Sequence, residues 1–203
     1  MTLSEFDKEL QRLMNEAKDE YAAARKKAGL KEIDLVCIRP FTCDGNPLDC
    51  NVIITGLNPG TDTKVRFSDC WMPDSVGFDL KNFRAAMGKV TPTTKKIDDI
   101  ILCVPNAKFL VTNLSPWPGE TEKKTDRTTK RLKTGQAFLS FLLRAIPHGV
   151  VVAHHRYYLT KRKVSNLVPP DALRYNHFSP QGGEKSAEEI AQDINEALRR
   201  RAV

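Results

Sequence analysis

The sequence predicts an α/β fold built on a mainly parallel sheet. Three observations carry this expectation. Short apolar runs bounded by turn residues, such as Val52–Ile54 ahead of Gly56, Pro59 and Gly60, read as buried strands. Longer stretches between them place apolar residues at helical spacing. The two kinds of segment then alternate along the chain as helix, strand, helices, strand, helix, strand, strand, helix, the order of a sheet with crossover helices.

The first element is an amphipathic helix over residues 4–28, with Phe6, Leu10, Leu13, Met14, Ala17 and Tyr21 on one face. Ser4 is placed to cap it and Gly29 to end it. IDLVCI, residues 33–38, reads as a short strand closed by Pro40, and the segment from Pro40 to Cys50 as a loop full of turn formers. NVIITG, residues 51–56, is the first core strand, and an irregular section follows it to Asp79. DLKNFRAAMG, residues 79–88, and KKIDDIILCV, residues 95–104, form short helices. KFLVTN, residues 108–113, is the second core strand and runs into the polar turn LSPWPGE. An apolar helix over residues 134–146 stops at Pro147. GVVVAHH, residues 149–155, is the third strand and DALRYNH, residues 171–177, a weaker fourth. Ser186 with Glu189 forms a capping box that opens the last helix. Repeats, low-complexity tracts and linkers are lacking, so one domain over residues 1–203 is predicted, with the N-terminal helix packed on it.

The bounds are those of a globular chain. At 203 residues the fold needs no disulfide staples. Five cysteines at irregular spacing suit free thiols in a reducing compartment. No apolar run approaches the ~20 residues of a membrane span. The acidic, amphipathic start MTLSEFDKEL is unlike a signal peptide. The net charge of +7 favours polyanionic partners. Basic residues gather at 122–133, at 160–163 and in the tail at 199–201, where cations at a helix C-terminus are favourable without any ligand.

In open parallel sheets, ligands bind beyond the carboxyl ends of the strands. That rule gathers three segments at one rim: GLNPG (56–60), TNLSPWPGE (112–120) and NHFSPQGG (176–183). GLNPG after a core strand, VTN at the end of a middle strand and HFSP after a late one resemble, in this order, the uracil-DNA glycosylase superfamily. GLNPG is most similar to its mismatch-specific, thymine and single-strand-selective branches. The resemblance implies a three-layer α/β/α sandwich around a four-stranded, mainly parallel sheet. It also implies a monofunctional DNA glycosylase that hydrolyses the N-glycosidic bond of uracil or another deaminated or modified base.

Each site residue takes a role from that resemblance. Asn58 orients the attacking water, and His177 donates to the base oxygen that becomes anionic. Asn113 reads the base edge with a donor and an acceptor together. Gly56, Leu57 and Gly60 shape the base pocket; a tyrosine at the last position would block a 5-methyl group, so Gly60 implies a roomier site. Phe67 is the candidate stacking ring, with Trp71 and Phe78 as neighbours of similar spacing and core packing as the competing role. Lys123, Lys124, Arg127, Lys130, Arg131 and Ser179 are the candidate DNA contacts. The partner is single- or double-stranded DNA bound by a monomer, with no cofactor, in the cytoplasm on the nucleoid, or in the nucleus of a eukaryote.

Two features depart from the pattern. Phe178 stands where proline is usual, and Gln181-Gly182-Gly183 lacks the bulky apolar residue that fills the space left by a flipped base. These departures leave a catalytically silent DNA-binding relative as the alternative. A nucleotide-binding enzyme of another kind is disfavoured by the absence of both common phosphate-loop motifs. Cys37, Cys43, Cys50 and Cys70 contain no C-x-x-C pair, so no metal is expected. His154 and His155, followed by Arg156, are open to phosphate contact, metal binding or loop anchoring.

Overall fold

The computed structural model describes residues 1–27, 38–56, 65–88, 90–114, 116, 133–154, 167–176, 178 and 185–201. The first helix, α1, spans Leu3–Lys27. Its cap is Thr2, not Ser4: the Thr2 hydroxyl accepts from the Glu5 backbone N–H at 3.2 Å, and the Thr2 N–H donates to the Glu5 carboxylate at 2.7 Å. This reciprocal pair is a capping box two residues ahead of Ser4. Of the strand expected at 33–38, residues 33–37 lie outside the described residues, as does Gly29, and Ile38 is a buried residue outside any strand.

Strand β1, Phe41–Cys43, arises inside the stretch read as a loop. Three residues are too few for a periodic signal, but Phe41 and Cys43 are buried while Thr42 between them is not, which is the alternation of a strand. Strand β2 is Val52–Gly56 and is buried along its whole length. After Val65 come a 3₁₀ turn at Phe67–Asp69 and a hairpin of β3, Trp71–Met72, with β4, Gly77–Phe78. Gly77 has φ of +84°, and a Cβ there would lie 2.3 Å from the Gly45 carbonyl oxygen. Gly77 thus lets the second strand of the hairpin press against Gly45, which bridges Phe78.

Helix α2 is Leu80–Met87, and helix α3 is Pro92–Leu102, opening three residues before the stretch expected at 95–104 because Thr91 caps it and Pro92 fits its first turn. Asp79 and Thr91 accept from the N–H groups of Asn82 and Thr94. Strand β5 is Phe109–Asn113, helix α4 Lys133–Ala145, strand β6 Val150–Ala153, strand β7 Leu173–Arg174 and helix α5 Ala187–Arg201.

Among the described residues the main sheet has five strands in the order β1-β5-β2-β6-β7. The last four in that order are parallel, as expected; the fifth strand is β1, antiparallel on the outer edge of β5. Helices cover both faces. Ile53, Leu110 and Val151 pack with Leu10 of α1 and Phe138 and Leu142 of α4. Val52, Ile54, Val150 and Val152 pack with Ile100 of α3 and Ile190 and Ile194 of α5. Central parallel strands are buried on both sides, which explains why β2 and β6 read as continuous apolar runs.

The last helix is capped as its sequence states. The Ser186 hydroxyl accepts from the Glu189 N–H at 3.2 Å, and the Glu189 carboxylate accepts from the Ser186 N–H at 2.6 Å. Ser186→Ala is expected to cost ~1 kcal/mol, seen as a lower denaturant midpoint at unchanged slope. Its basic end is not merely solvated. Arg201 donates to the Gly149 carbonyl at 2.6 Å and to Asp171, tying α5 to the start of β6.

Candidate functional site

The sheet's alternation defines the site. Three adjacent parallel strands carry rows that point to the α3 and α5 face: Phe109, Val111 and Asn113 on β5; Val52, Ile54 and Gly56 on β2; Val150, Val152 and, one residue past β6, His154. Each row is apolar in its first two positions and changes character at the third. Those third positions stand side by side at the C-terminal rim, with Gly56 and Asn113 paired in register. Backbone hydrogen bonds hold the rim: Leu114 N–H donates to the Gly56 carbonyl at 2.9 Å, and His154 N–H to the Thr55 carbonyl at 3.1 Å.

At the middle position a glycine leaves room that a side chain would take. A Cβ on Gly56 would lie 2.7 Å from Asn113 Oδ1, 2.7 Å from His154 Nε2 and 2.9 Å from His154 Cε1. Two polar side chains from the flanking strands therefore fold over the end of β2. Gly56 was expected in the base pocket because of its motif; its physical role here is to leave room for Asn113 and His154.

His154 is fixed from behind. It is only 4% exposed, and its imidazole stacks on Phe178 with ring centroids 4.5 Å apart and planes 14° apart. Phe178 is itself buried, and the Lys96 ammonium sits over its ring at 5.5 Å. Lys96 also donates to the Lys185 carbonyl at 2.6 Å. The Phe178 departure thus has a structural counterpart, an aromatic plug that positions His154.

A polar latch lies close in sequence to Phe178. The Tyr175 hydroxyl and the Lys185 ammonium both donate to Asp193 Oδ2 at 2.6 Å. Burial and then the bond to Asp193 push the Tyr175 hydroxyl well above the usual phenol range. Burial works against the Asp193 carboxylate, but the bonds from Lys185 and Tyr175 outweigh it and hold its pKa below the usual range. The latch therefore joins a neutral phenol, an ammonium and an ionised carboxylate at neutral pH, pinning the chain before the HFSP segment to α5.

Asn113 also borders a cavity of about 80 Å³ with Arg39, Phe83, Arg84 and Ile97. Arg84 pairs with Asp98 at 2.5 Å. Burial raises the Asp98 carboxyl above its usual range despite that partner.

Phe67 does not join this group. Its ring is 1% exposed and packs against Phe41 at 5.1 Å and Phe78 at 5.3 Å, in the core on the opposite, α1 side of the sheet. The stacking role expected for Phe67 has no exposed ring face to act through, and the competing core role describes it. Trp71 and Phe78 lie in the same aromatic core. Leu57, Asn58, Gly60, Lys123, Lys124, Arg127, Lys130, Arg131, His177 and Ser179 lie outside the described residues, as does His155.

His154 is the residue whose role the sequence left open between phosphate contact, metal binding and loop anchoring. The signal for it was the row Val150, Val152, His154, in which a strand that is otherwise apolar ends on a polar residue facing the same way. Among the described residues no group of three or more His, Cys, Asp or Glu side chains could hold a metal ion. Cys43, Cys50 and Cys70 are buried free thiols. No helix among the described residues is long and apolar enough to cross a membrane. No protein-family model matches the chain, and no curated protein matches it.

Proposed function

We propose that this chain is a DNA glycosylase of the uracil-DNA glycosylase type, a monomer that hydrolyses the N-glycosidic bond of uracil or another deaminated or modified base. The observation that carries the reading is the meeting of the Asn113 carboxamide with Gly56, the first residue of the GLNPG turn, at the C-terminal rim of the parallel sheet. A carboxamide held at a strand end offers one donor and one acceptor, which matches the edge of a flipped uracil. In this reading GLNPG supplies Asn58 to place the water, and HFSP supplies His177 to steady the departing base anion. The fold is the three-layer sandwich of that superfamily, and the protein works on DNA in the cytoplasm or nucleus without a cofactor.

The test is release of free base from oligonucleotides carrying uracil and other deaminated or methylated bases, in single and double strands. Release supports the reading, whereas binding without release from every substrate replaces it with a catalytically silent DNA binder. That second reading draws on Phe178, which fills the place of a turn-forming proline with a buried ring stacked on His154.

DNA is held in this reading by the basic run Lys123, Lys124, Arg127, Lys130, Arg131 and Lys133. If about half of these six contact phosphates, log affinity should fall with log salt at a slope of about −2 to −3. Fluorescence anisotropy on a labelled duplex between low and moderate salt measures it, and a flat response removes the basic run from the interface.

A further inference from the structure

The rim that carries Asn113 holds a second polar side chain to which the glycosylase reading gives no task. His154 stands across Gly56 from Asn113. Thr55 pairs with Ala153 in register, and the His154 N–H donates to the Thr55 carbonyl at 3.1 Å. A Cβ on Gly56 would lie 2.7 Å from Asn113 Oδ1 and equally close to His154 Nε2. The two atoms flank one point, so they are no farther apart than twice that distance. Oδ1 is the amide atom turned toward β2, since Nδ2 is not among the three atoms nearest that point. From β5 to β6 the polar atoms therefore run Nδ2, Oδ1, Nε2.

The imidazole is set in place by its stack on Phe178, whose ring in turn lies under the Lys96 ammonium. That stack fixes the plane in which Nε2 sits. A hydrogen bond needs one atom and not a ring face, so a ring only 4% exposed can still offer its Nε2 edge. Burial also makes such a bond stronger than it would be in water, and makes an unpaired donor there costly.

We propose, on the glycosylase reading of this rim, that His154 with its proton on Nε2 is a specificity-determining residue, and that the site takes bases with an imide edge: a carbonyl, a ring N–H and a second carbonyl in a row. Oδ1 only accepts, so a bare Nε2 beside it would set lone pair against lone pair; the protonated nitrogen avoids this. Asn113 Nδ2 then donates to one carbonyl, Oδ1 accepts from the ring N–H, and His154 Nε2 donates to the second carbonyl. Uracil, 5-substituted uracils and xanthine carry that edge. Hypoxanthine lacks the second carbonyl and leaves the His154 donor unpaired. Guanine sets its amino group against that donor, and cytosine and adenine offer no ring N–H to Oδ1. Three points thus reject three of the ordinary bases of DNA, where Asn113 alone would accept guanine.

The experiment is single-turnover base release by the full chain from oligonucleotides carrying uracil, 2-thiouracil, 4-thiouracil or hypoxanthine. Wild type is compared with His154→Phe, which keeps a ring against Phe178 and removes the donor, and with His154→Gln, which restores an N–H. Sulfur accepts hydrogen bonds weakly, so each thio position reports on the group that reads it. His154→Phe should slow uracil release about 10-fold. It should also erase the effect of sulfur at one of the two positions and keep it at the other, and His154→Gln should bring the erased effect back. A packing role alone would slow every substrate alike and leave both sulfur effects unchanged. Melting curves show that the variants are folded, and the comparison of uracil with hypoxanthine needs wild type only. No release of any base by wild type overturns the glycosylase reading and this inference with it. Release of uracil with both sulfur effects intact in His154→Phe overturns the inference alone, as does release of hypoxanthine by wild type at the rate of uracil or faster.

Discussion

Gly56→Ala should abolish most base release, by about 100-fold in single-turnover rate, while the protein stays folded. The added Cβ would meet Asn113 Oδ1 and His154 Nε2, both at 2.7 Å, so one or both side chains must move. The two neighbours differ in what they can give. His154 is enclosed and stacked on Phe178, whereas the half-buried Asn113 carboxamide ends at the rim. The displacement therefore falls mainly on Asn113, the proposed base reader, and a shift near 1 Å at a positioning group costs about 100-fold. Overpacking of this kind costs typically 1–3 kcal/mol, within the 5–15 kcal/mol of an ordinary domain. Rate and denaturant midpoint are to be measured together. A fully active Gly56→Ala variant would remove Asn113 from the base pocket. The pair Gly56→Ala and Asn113→Ala adds a second check, because two routes to the same lost contact should not be additive.

The parts of this fold that could be read from the sequence are those with many residues in one pattern. The α1 stripe, the apolar runs of β2 and β6, and the Ser186 to Glu189 capping box each repeat a physical requirement often enough to be seen. What escaped was short or long-range. Strand β1 is three residues between turn formers, and its partner β5 lies far along the chain. The hairpin of β3 and β4 depends on one positive φ at Gly77. At the site, Asn113 was legible through its motif, and its registration with Gly56 follows once β2 and β5 are parallel neighbours. His154 was visible only as an ambiguous pair with His155, because nothing local says that Gly56 lacks a Cβ for its sake. Phe67 shows the opposite failure. Spacing from GLNPG made it a candidate ring, but spacing cannot tell which face of a sheet a ring packs on.

Asn58→Ala should slow single-turnover base release by roughly 30- to 1000-fold, a barrier of ~2–4 kcal/mol, with DNA affinity little changed. The argument is differential binding. An amide that accepts from the attacking water contributes when the C1′–base bond is nearly broken, and little in the ground-state complex. Loss of rate with retained affinity is the signature of such a contact. Asn58 cannot take a proton or carry a negative charge, so Asn58→Asp should raise uracil excision by placing a carboxylate beside the cationic sugar. Gly60→Tyr should narrow the range toward plain uracil by closing the space that a 5-substituent would occupy. GLNPG and HFSP contain no lysine, so the product should be an intact abasic site and borohydride should trap no enzyme–DNA adduct. These variants separate the account of the turn from the account of the protein. If wild type releases base and Asn58→Ala is equally fast, the water is placed by another group, and His154, buried beside Gly56 at the same rim, is the next residue to substitute.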